Sequence, residues 1–507
     1  VFPVQSVVLT TLAVVLLDFP GGMNLSDAPA RLCCEEYDQL SRRRFLQAAG
    51  TGAAGAALIG TLPAWMPRVA YAGGPPTDGR DVIISINLRG GIDGLSACVP
   101  FNDPVYTSAQ ARPNLRVYAP DDTTRPPGQR AIALANARVV AGARTFDFGL
   151  HPALSALLPA YQAGKLLLIH AAGLADTNKS HFDAQRWLEN GQPSSANLFT
   201  GWLGRHLASS PPVNPASALR AIGVSDGLQR ILAGSPLALA ISNFQNNPGP
   251  VPALLNMAAV TAVLPTGYGL TGTSATSDAR LSLLGTMYAG SPEPLGTTAF
   301  NTLNTIGRLN RIASTGYQPA GNAAYPASAL GYALRSTAAL LQANEDATVN
   351  QFVEAVAIDV GGWDTHVSAF TFNPTAGAFT GSLVTNLTNL AQSLNAFFQD
   401  VIAARARRVT VVVLSEFGRR VGENGTVGTE HGYGNVAMVM GSSVLGGRLL
   451  TTWPGLASDQ PPDATDVPVT TDLRNLLAEI VAKRLGNSAS LNAIFPQFTP
   501  SFLNICQ

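Results

Sequence analysis

FVEAVAIDVGGWDTH, Phe352 to His366, opens with a nearly continuous β-favouring apolar run of Phe352, Val353, Ala355, Val356, Ala357, Ile358 and Val360. That is the pattern of a strand buried on both faces of a parallel sheet. The run stops at Gly361-Gly362, where the backbone can turn sharply and approach a ligand closely, and Trp363, Asp364 and His366 follow. In open α/β sheets, ligands bind beyond the carboxyl ends of the strands. Asp364 and His366, one residue apart in a turn, offer a carboxylate oxygen and an imidazole nitrogen to one cation. The plain alternative is a strand-end Asp capping the next turn beside a surface His.

A second stretch of the same design tips that balance. In VTVVVLSEFGRRVGENGTVGTEHGYG, Val409 to Gly434, the run Val409, Val411, Val412, Val413 and Leu414 leads into Ser415, Glu416, Arg419 and Arg420, then a Gly/Asn-rich loop, then Glu430-His431-Gly432. A third run, Val82 to Leu88 (VIISINL), ends in Arg89-Gly90-Gly91-Ile92-Asp93-Gly94. Three apolar runs delivering acids and imidazoles to one edge are hard to explain as capping. Ser382 to Arg405 has apolar residues at helical spacing, so it predicts the crossover helix between the two main strands. Phe146 to Leu150, a helix over Ala153 to Gln162 and a strand over Leu166 to His170 give a βαβ rhythm, which implies parallel pairing.

At 507 residues, with 46% apolar and 13% charged residues, the chain can build a large core. Lys+Arg and Asp+Glu both number 32 for a net charge of +0, so nothing in the balance calls for nucleic acid or an anionic membrane surface. Of the four cysteines, Cys33-Cys34 form no disulfide framework, and no bridge is assigned between Cys98 and Cys506.

Residues 1–40 are expected to be an upstream leader outside the mature fold, Val1 to Gly22 being either an unusual leader or upstream translated sequence. Its apolar start, Val1 to Leu17, is too short to span a bilayer. Ser41-Arg42-Arg43-Arg44-Phe45-Leu46-Gln47 matches the twin-arginine export pattern, and an Ala/Gly-rich run and Ala70-Tyr71-Ala72 complete a signal over residues 41–72. The mature chain is therefore expected to start at Gly73, to carry no stable membrane span and to be periplasmic or extracellular, with the twin-arginine translocase as its export partner.

The expected architecture is an α/β domain over residues 80–490, with a Pro-rich tail over 491–507. An Ala/Gly/Ser/Thr-rich helical insertion runs from about 246 to 350, with helices over Ser277 to Met287, Thr298 to Ile312 and Ala327 to Gln342. In TNKSHFDAQRW, Thr177 to Trp187, Ser180 or Asn178 reads as a helix N-cap. A helix start also favours an anion, so Ser180 is both a candidate cap and a candidate nucleophile. His170 reads as a core histidine, His206 as a helix-face residue, and His151 as a residue behind the site.

Taken together, Gly90-Gly91-Ile92-Asp93-Gly94, Ser180-His181-Phe182, Gly362-Trp363-Asp364-Thr365-His366, Ser415-Glu416-Phe417-Gly418-Arg419, Thr429-Glu430-His431-Gly432 and Asp472-Leu473-Arg474 resemble the domain-of-unknown-function family 1501. The resemblance runs from about Asp81 to Leu485. That family in turn resembles the alkaline phosphatase and sulfatase superfamily, which implies a mostly parallel central sheet between helices and hydrolysis of phosphate or sulfate esters at a site that often holds two divalent metals. The resemblance makes Ser180 the nucleophile and Asp93, Asp364, His366, Glu430 and His431 metal ligands, with zinc, manganese or magnesium as the ion. Glu430 stands where that superfamily uses Asp, and no further His follows His431; either one metal site is incomplete or Glu416 supplies the missing ligand. Arg89 or Arg419 would stabilise the developing oxyanion. The competing expectation is an exported binding or surface-assembly protein that keeps the fold without catalysis.

Overall fold

Val82–Leu88 (β1) is buried along all 7 of its residues. Ile84, Ile86 and Leu88 enter the apolar cluster on one face of the sheet, and Ile83 enters the cluster on the other. A strand covered on both faces has no polar alternation to display, which is why its sequence reads as an unbroken apolar run.

The computed structural model describes residues 79–241, 317–345 and 352–507, apart from 216, 218, 225, 226, 460 and 463. The expected leader, the twin-arginine signal and the helices over Ser277 to Met287 and Thr298 to Ile312 lie outside the described residues.

In chain order the strands after β1 are β2 (Cys98–Val99), β3 (Ile132–Ala141), β4 (Arg144–Leu150), β5 (Leu166–Gly173), β6 (Ala221–Val224) and β7 (Ala238–Ile241). They continue with β8 (Ala355–Val360), β9 (Thr371–Asn373), β10 (Ala378–Thr380), β11 (Val409–Ser415), β12 (Asn435–Gly441), β13 (Arg448–Leu450) and β14 (Thr471–Asp472). The α-helices among the described residues are α1 (Gly94–Ala97), α2 (Leu158–Gln162), α3 (His181–Asn190), α4 (Trp202–Ser209), α5 (Ala329–Asn344), α6 (Ser382–Phe397), α7 (Leu473–Lys483) and α8 (Leu491–Ile494).

The main sheet is nine-stranded among the described residues, in the order β13-β5-β12-β11-β1-β8-β6-β7, with β14 also on β5. β1 pairs in parallel with β11 on one side and β8 on the other. The expected crossover helix is α6, which joins those two flanking strands. β12 is antiparallel to both β11 and β5; every other pairing in this sheet is parallel. The fold is thus α/β, with a mixed and mostly parallel central sheet flanked by helices.

Two expectations change. β4 does not pair in parallel with β5; it joins β2 and β3 in a separate antiparallel three-stranded sheet. The helix expected over Ala153 to Gln162 divides into a tight turn at Pro152–Leu157 and α2, since Pro159 has no N–H to continue a single hydrogen-bonded ladder. In the expected insertion, α5 falls close to the predicted Ala327 to Gln342. Cys98 and Cys506 are both free and buried. Among the described residues no helix is long and apolar enough to cross a membrane.

The parallel arrangement puts the carboxyl ends of β1, β5, β8 and β11 at one edge. Because β12 runs the other way, the chain leaving β11 re-enters the sheet from that same edge, and Glu430 and His431 stay there. The turn after β1 is tight: Gly90 has φ +123°, and a Cβ on it would collide with the backbone of Trp363 and Asp364. Gly361, at the end of β8, has open space around its Cβ position. Gly90→Ala should therefore lower stability by about 1–3 kcal/mol through backbone strain, while Gly361→Ala should change it by no more than about 0.5 kcal/mol. Urea unfolding midpoints of the two variants check this contrast.

Candidate metal centre

Asp364 lies just beyond β8, and its Oδ1 is the focus of the edge. His366 Nε2 lies 3.0 Å from that oxygen, His431 Nε2 3.3 Å and His181 Nε2 3.5 Å. The Nε2 atoms of His366 and His431 are 2.9 Å apart. The ligand atoms of His181, Asp364 and His431 all lie within 4.8 Å of one another, a grouping able to hold a metal ion.

Each imidazole is held from behind by its other nitrogen. His431 Nδ1 is 2.9 Å from the carbonyl oxygen of Lys179, which only accepts, so Nδ1 carries the hydrogen and Nε2 presents its lone pair when the ring is neutral. His181 Nδ1 is 2.8 Å from Glu416 Oε1, and His366 Nδ1 is 3.1 Å from Glu430 Oε2. Metal-bound histidines are oriented in this way by outer carboxylates and carbonyls. His181 Nε2 is buried, and its nearest polar neighbour is Asp364 Oδ1 at 3.5 Å, beyond an ordinary hydrogen bond.

The spacing also fits. Tetrahedral metal–ligand bonds of about 2.0–2.2 Å require ligand atoms roughly 3.4 Å apart, close to the separations around Asp364 Oδ1. The donor set, imidazole nitrogens with one carboxylate, is one that divalent transition metals accept.

The electrostatics agree with a cation-seeking site. Burial acts to raise the Asp364 carboxyl, but His181, His366, His431 and Arg419 outweigh it and hold it far below the usual carboxylate range. Burial would push the His181 imidazole down, yet Asp364 and Glu416 carry it up to about 9. Burial lowers His431, and Arg419 with the neighbouring imidazoles adds to this against the pull of Asp364. Burial raises Glu416, but His181 and Gln185 bring it down to about 2.

Of the six ligands expected from the sequence, Asp364, His366 and His431 converge. Glu416 and Glu430 stand one imidazole further out. Glu416 Oε1 is surrounded by Gly90 N at 2.7 Å, His181 Nδ1 and Gln185 Nε2 at 2.8 Å, and Glu430 also accepts from Asn424 Nδ2 at 2.7 Å. Asp93 does not join. It caps α1 and meets Arg112 through both oxygens, at 2.6 and 3.0 Å, in a fully buried ion pair.

The arginines also take other roles. Arg89 is bound to Glu189 at 2.9 Å and Asp359 at 2.8 Å. Arg419 is buried: its Nη2 reaches Asp364 Oδ1 at 2.5 Å and the Gly90 carbonyl, and its Nε reaches Gly91 O at 2.7 Å. Ser180 sits at the N-cap of α3 with no side-chain capping bond, between Lys179, whose carbonyl holds His431, and His181. His170 is a bonded core histidine, Nε2 donating to Cys98 O at 3.0 Å. His206 lies on α4, buried against Asn487. His151 caps the turn that follows it, accepting from Ala153 N at 3.0 Å.

Sequence reasoning passed over His181 as a candidate ligand. The signal was present: His181 follows β5, a further buried strand whose carboxyl end reaches the same edge, but Ser180 beside it drew attention to capping.

Residues 343–487 match the family model described as "Protein of unknown function (DUF1501)". The match includes Asp364, His366, Glu416, Arg419, Glu430 and His431; Asp93, Ser180 and His181 precede it. No curated protein matches the chain.

His181→Ala should remove a ligand and abolish tight divalent-metal binding, and Glu416→Gln should weaken it by about 10–100-fold through loss of the ring's support. Metal titrations of variants whose circular dichroism matches the parent check both; unchanged affinity in His181→Ala would exclude it from the centre.

Proposed function

We propose that the protein is an exported metal-dependent hydrolase of phosphate or sulfate esters, with Ser180 as its nucleophile. The observation that carries this reading is the convergence of three Nε2 atoms on Asp364 Oδ1, each ring held through Nδ1 by Glu416, Glu430 or the Lys179 carbonyl. An imidazole-rich set favours zinc or manganese over magnesium, which prefers oxygen ligands.

A divalent ion in such a site supplies Lewis-acid polarisation of an ester oxygen and lowers the pKa of a nearby hydroxyl. The protein's own part is positioning. Ser180 is joined directly to His181 and Lys179, so its hydroxyl is carried on backbone fixed to the centre, and it is not spent as a cap. Ser180 Oγ gives its proton to solvent water and bonds to phosphorus or sulfur as the bond to the leaving-group oxygen breaks and that oxygen takes a proton from water; a water molecule then attacks the same atom, the bond to Ser180 Oγ breaks, and the proton lost by that water restores the Ser180 hydroxyl. The opening amides of α3, which lack intrahelical partners, favour the anionic group at that place. The resemblance to the alkaline phosphatase and sulfatase superfamily, read from the sequence motifs alone, points to the same class of reaction.

A second reading, an exported binding or surface-assembly protein that retains the fold, is favoured by one observation. Arg89 and Arg419, the two candidates for stabilising a developing oxyanion, direct their guanidinium groups to carboxylates and backbone carbonyls.

Metal analysis and an aryl phosphate and aryl sulfate series decide between them. Wild-type chain should retain a divalent ion and turn over one ester series. Asp364→Ala with His431→Ala should lose both properties, and Ser180→Ala should keep the ion and lose turnover by about a hundredfold or more. Absence of metal from the wild type sinks the hydrolase reading; a loaded chain inert towards both series leaves the binding reading.

The export half of the proposal rests on Ser41 to Gln47. Replacing Arg42 and Arg43 together by Lys should hold the precursor in the cytoplasm, as cell fractionation would reveal.

A further inference from the structure

We infer that the centre binds one metal ion per chain, because the Arg419 guanidinium occupies the place of a second cation. This rests on the metal-centre reading above and goes beyond it in fixing the stoichiometry and giving Arg419 a role.

Two-metal hydrolytic sites set their ions about 3.5–4 Å apart and commonly share a carboxylate between them. Here the shared carboxylate would be Asp364, and a positive charge is already on it: Arg419 Nη2 is 2.5 Å from Oδ1, and Nη1 is 3.3 Å from His366 Nε2. A guanidinium does not lose its proton in a protein, so this charge is permanent.

Nor is the side chain free to leave. Nε donates to Gly91 O at 2.7 Å, Nη1 to Thr429 O at 2.8 Å, and Nη2 to Trp363 O at 3.3 Å and to the Gly90 carbonyl. Arg419 is 1% exposed, so swinging it out would strand buried carbonyls from three separate connections.

The carboxylates a second ion would need are committed as well. Glu416 is held by His181, Gln185 and the Gly90 amide. Glu430 is held by His366 and Asn424, and Asp93 by Arg112. Glu416 and Glu430 therefore serve as supports for the first site, and Asp93 as an ion-pair member elsewhere. Arg419 is a positioning residue that fixes Asp364 and shuts out a second ion by its charge.

The test is a stoichiometry measured apart from any turnover. Full chain stripped with chelator is titrated with zinc and, separately, with manganese, and bound metal is counted by equilibrium dialysis and elemental analysis. Wild type should saturate at one equivalent. Arg419→Lys, which keeps the charge, should stay at one, whereas folded Arg419→Gln should take up a second equivalent at millimolar metal. A clasp with no electrostatic role would make Arg419→Gln bind more weakly and never more. Two equivalents in the wild type, or one in a folded Arg419→Gln chain, overturns the inference and leaves the hydrolase reading standing; no bound ion at all removes both. Should Arg419→Gln fail to fold, the wild-type count decides alone.

Discussion

One guanidinium ties the ends of three connections together. Arg419 donates to Gly90 and Gly91 after β1, to Trp363 after β8, and to Thr429 in the segment between β11 and β12. Each of those carbonyls is an acceptor withdrawn from water, and each left unpaired would cost about 1–3 kcal/mol. The planar fork of arginine can serve several at once, which a lysine ammonium cannot match in geometry. Because the turns are joined at one point, Asp364 cannot drift relative to His431 without breaking bonds in all of them.

Around that point the buried charges are arranged in pairs and chains. Asp93 with Arg112, Arg220 with Glu354, and Arg89 with Glu189 and Asp359 are each satisfied locally. The edge cluster differs in kind: Asp364 Oδ1 faces three imidazoles and a guanidinium, while Glu416 and Glu430 stand behind two of the rings. A carboxylate behind an imidazole orients the ring and fixes its tautomer. Burial of such a set is tolerable only where the positive charge it attracts is supplied, by protons or by a metal ion.

How much of this was legible in the sequence follows from which features are local. β1, β8 and β11 were readable because burial on both faces writes a continuous apolar run. β12 was not: Asn435–Gly441 is equally buried, and burial carries no information about direction, which is set by pairing with β11 and β5. The separate sheet of β2, β3 and β4 was hidden because β4 reads like any half-buried strand until its partner is known. Asp364, His366 and His431 were found as residues at strand ends. Whether an acid is a ligand or stands behind one is decided by the width of an imidazole in the tertiary structure, so Glu416 and Glu430 could not be sorted from spacing. Asp93 misled for the same reason: its partner, Arg112, lies in a polar loop whose path no pattern specifies.

The closeness of His366 and His431 constrains what the edge does without an ion. Their Nε2 atoms are 2.9 Å apart, and with Lys179 O fixing the hydrogen of His431 on Nδ1, two neutral rings of the same tautomer would set lone pair against lone pair. A cation shared with Asp364 would relieve this. The fold thereby holds the rings in a geometry that is unfavourable when empty of charge, and the rigidity needed to keep it so comes from the same Arg419 bonds that close the sheet edge.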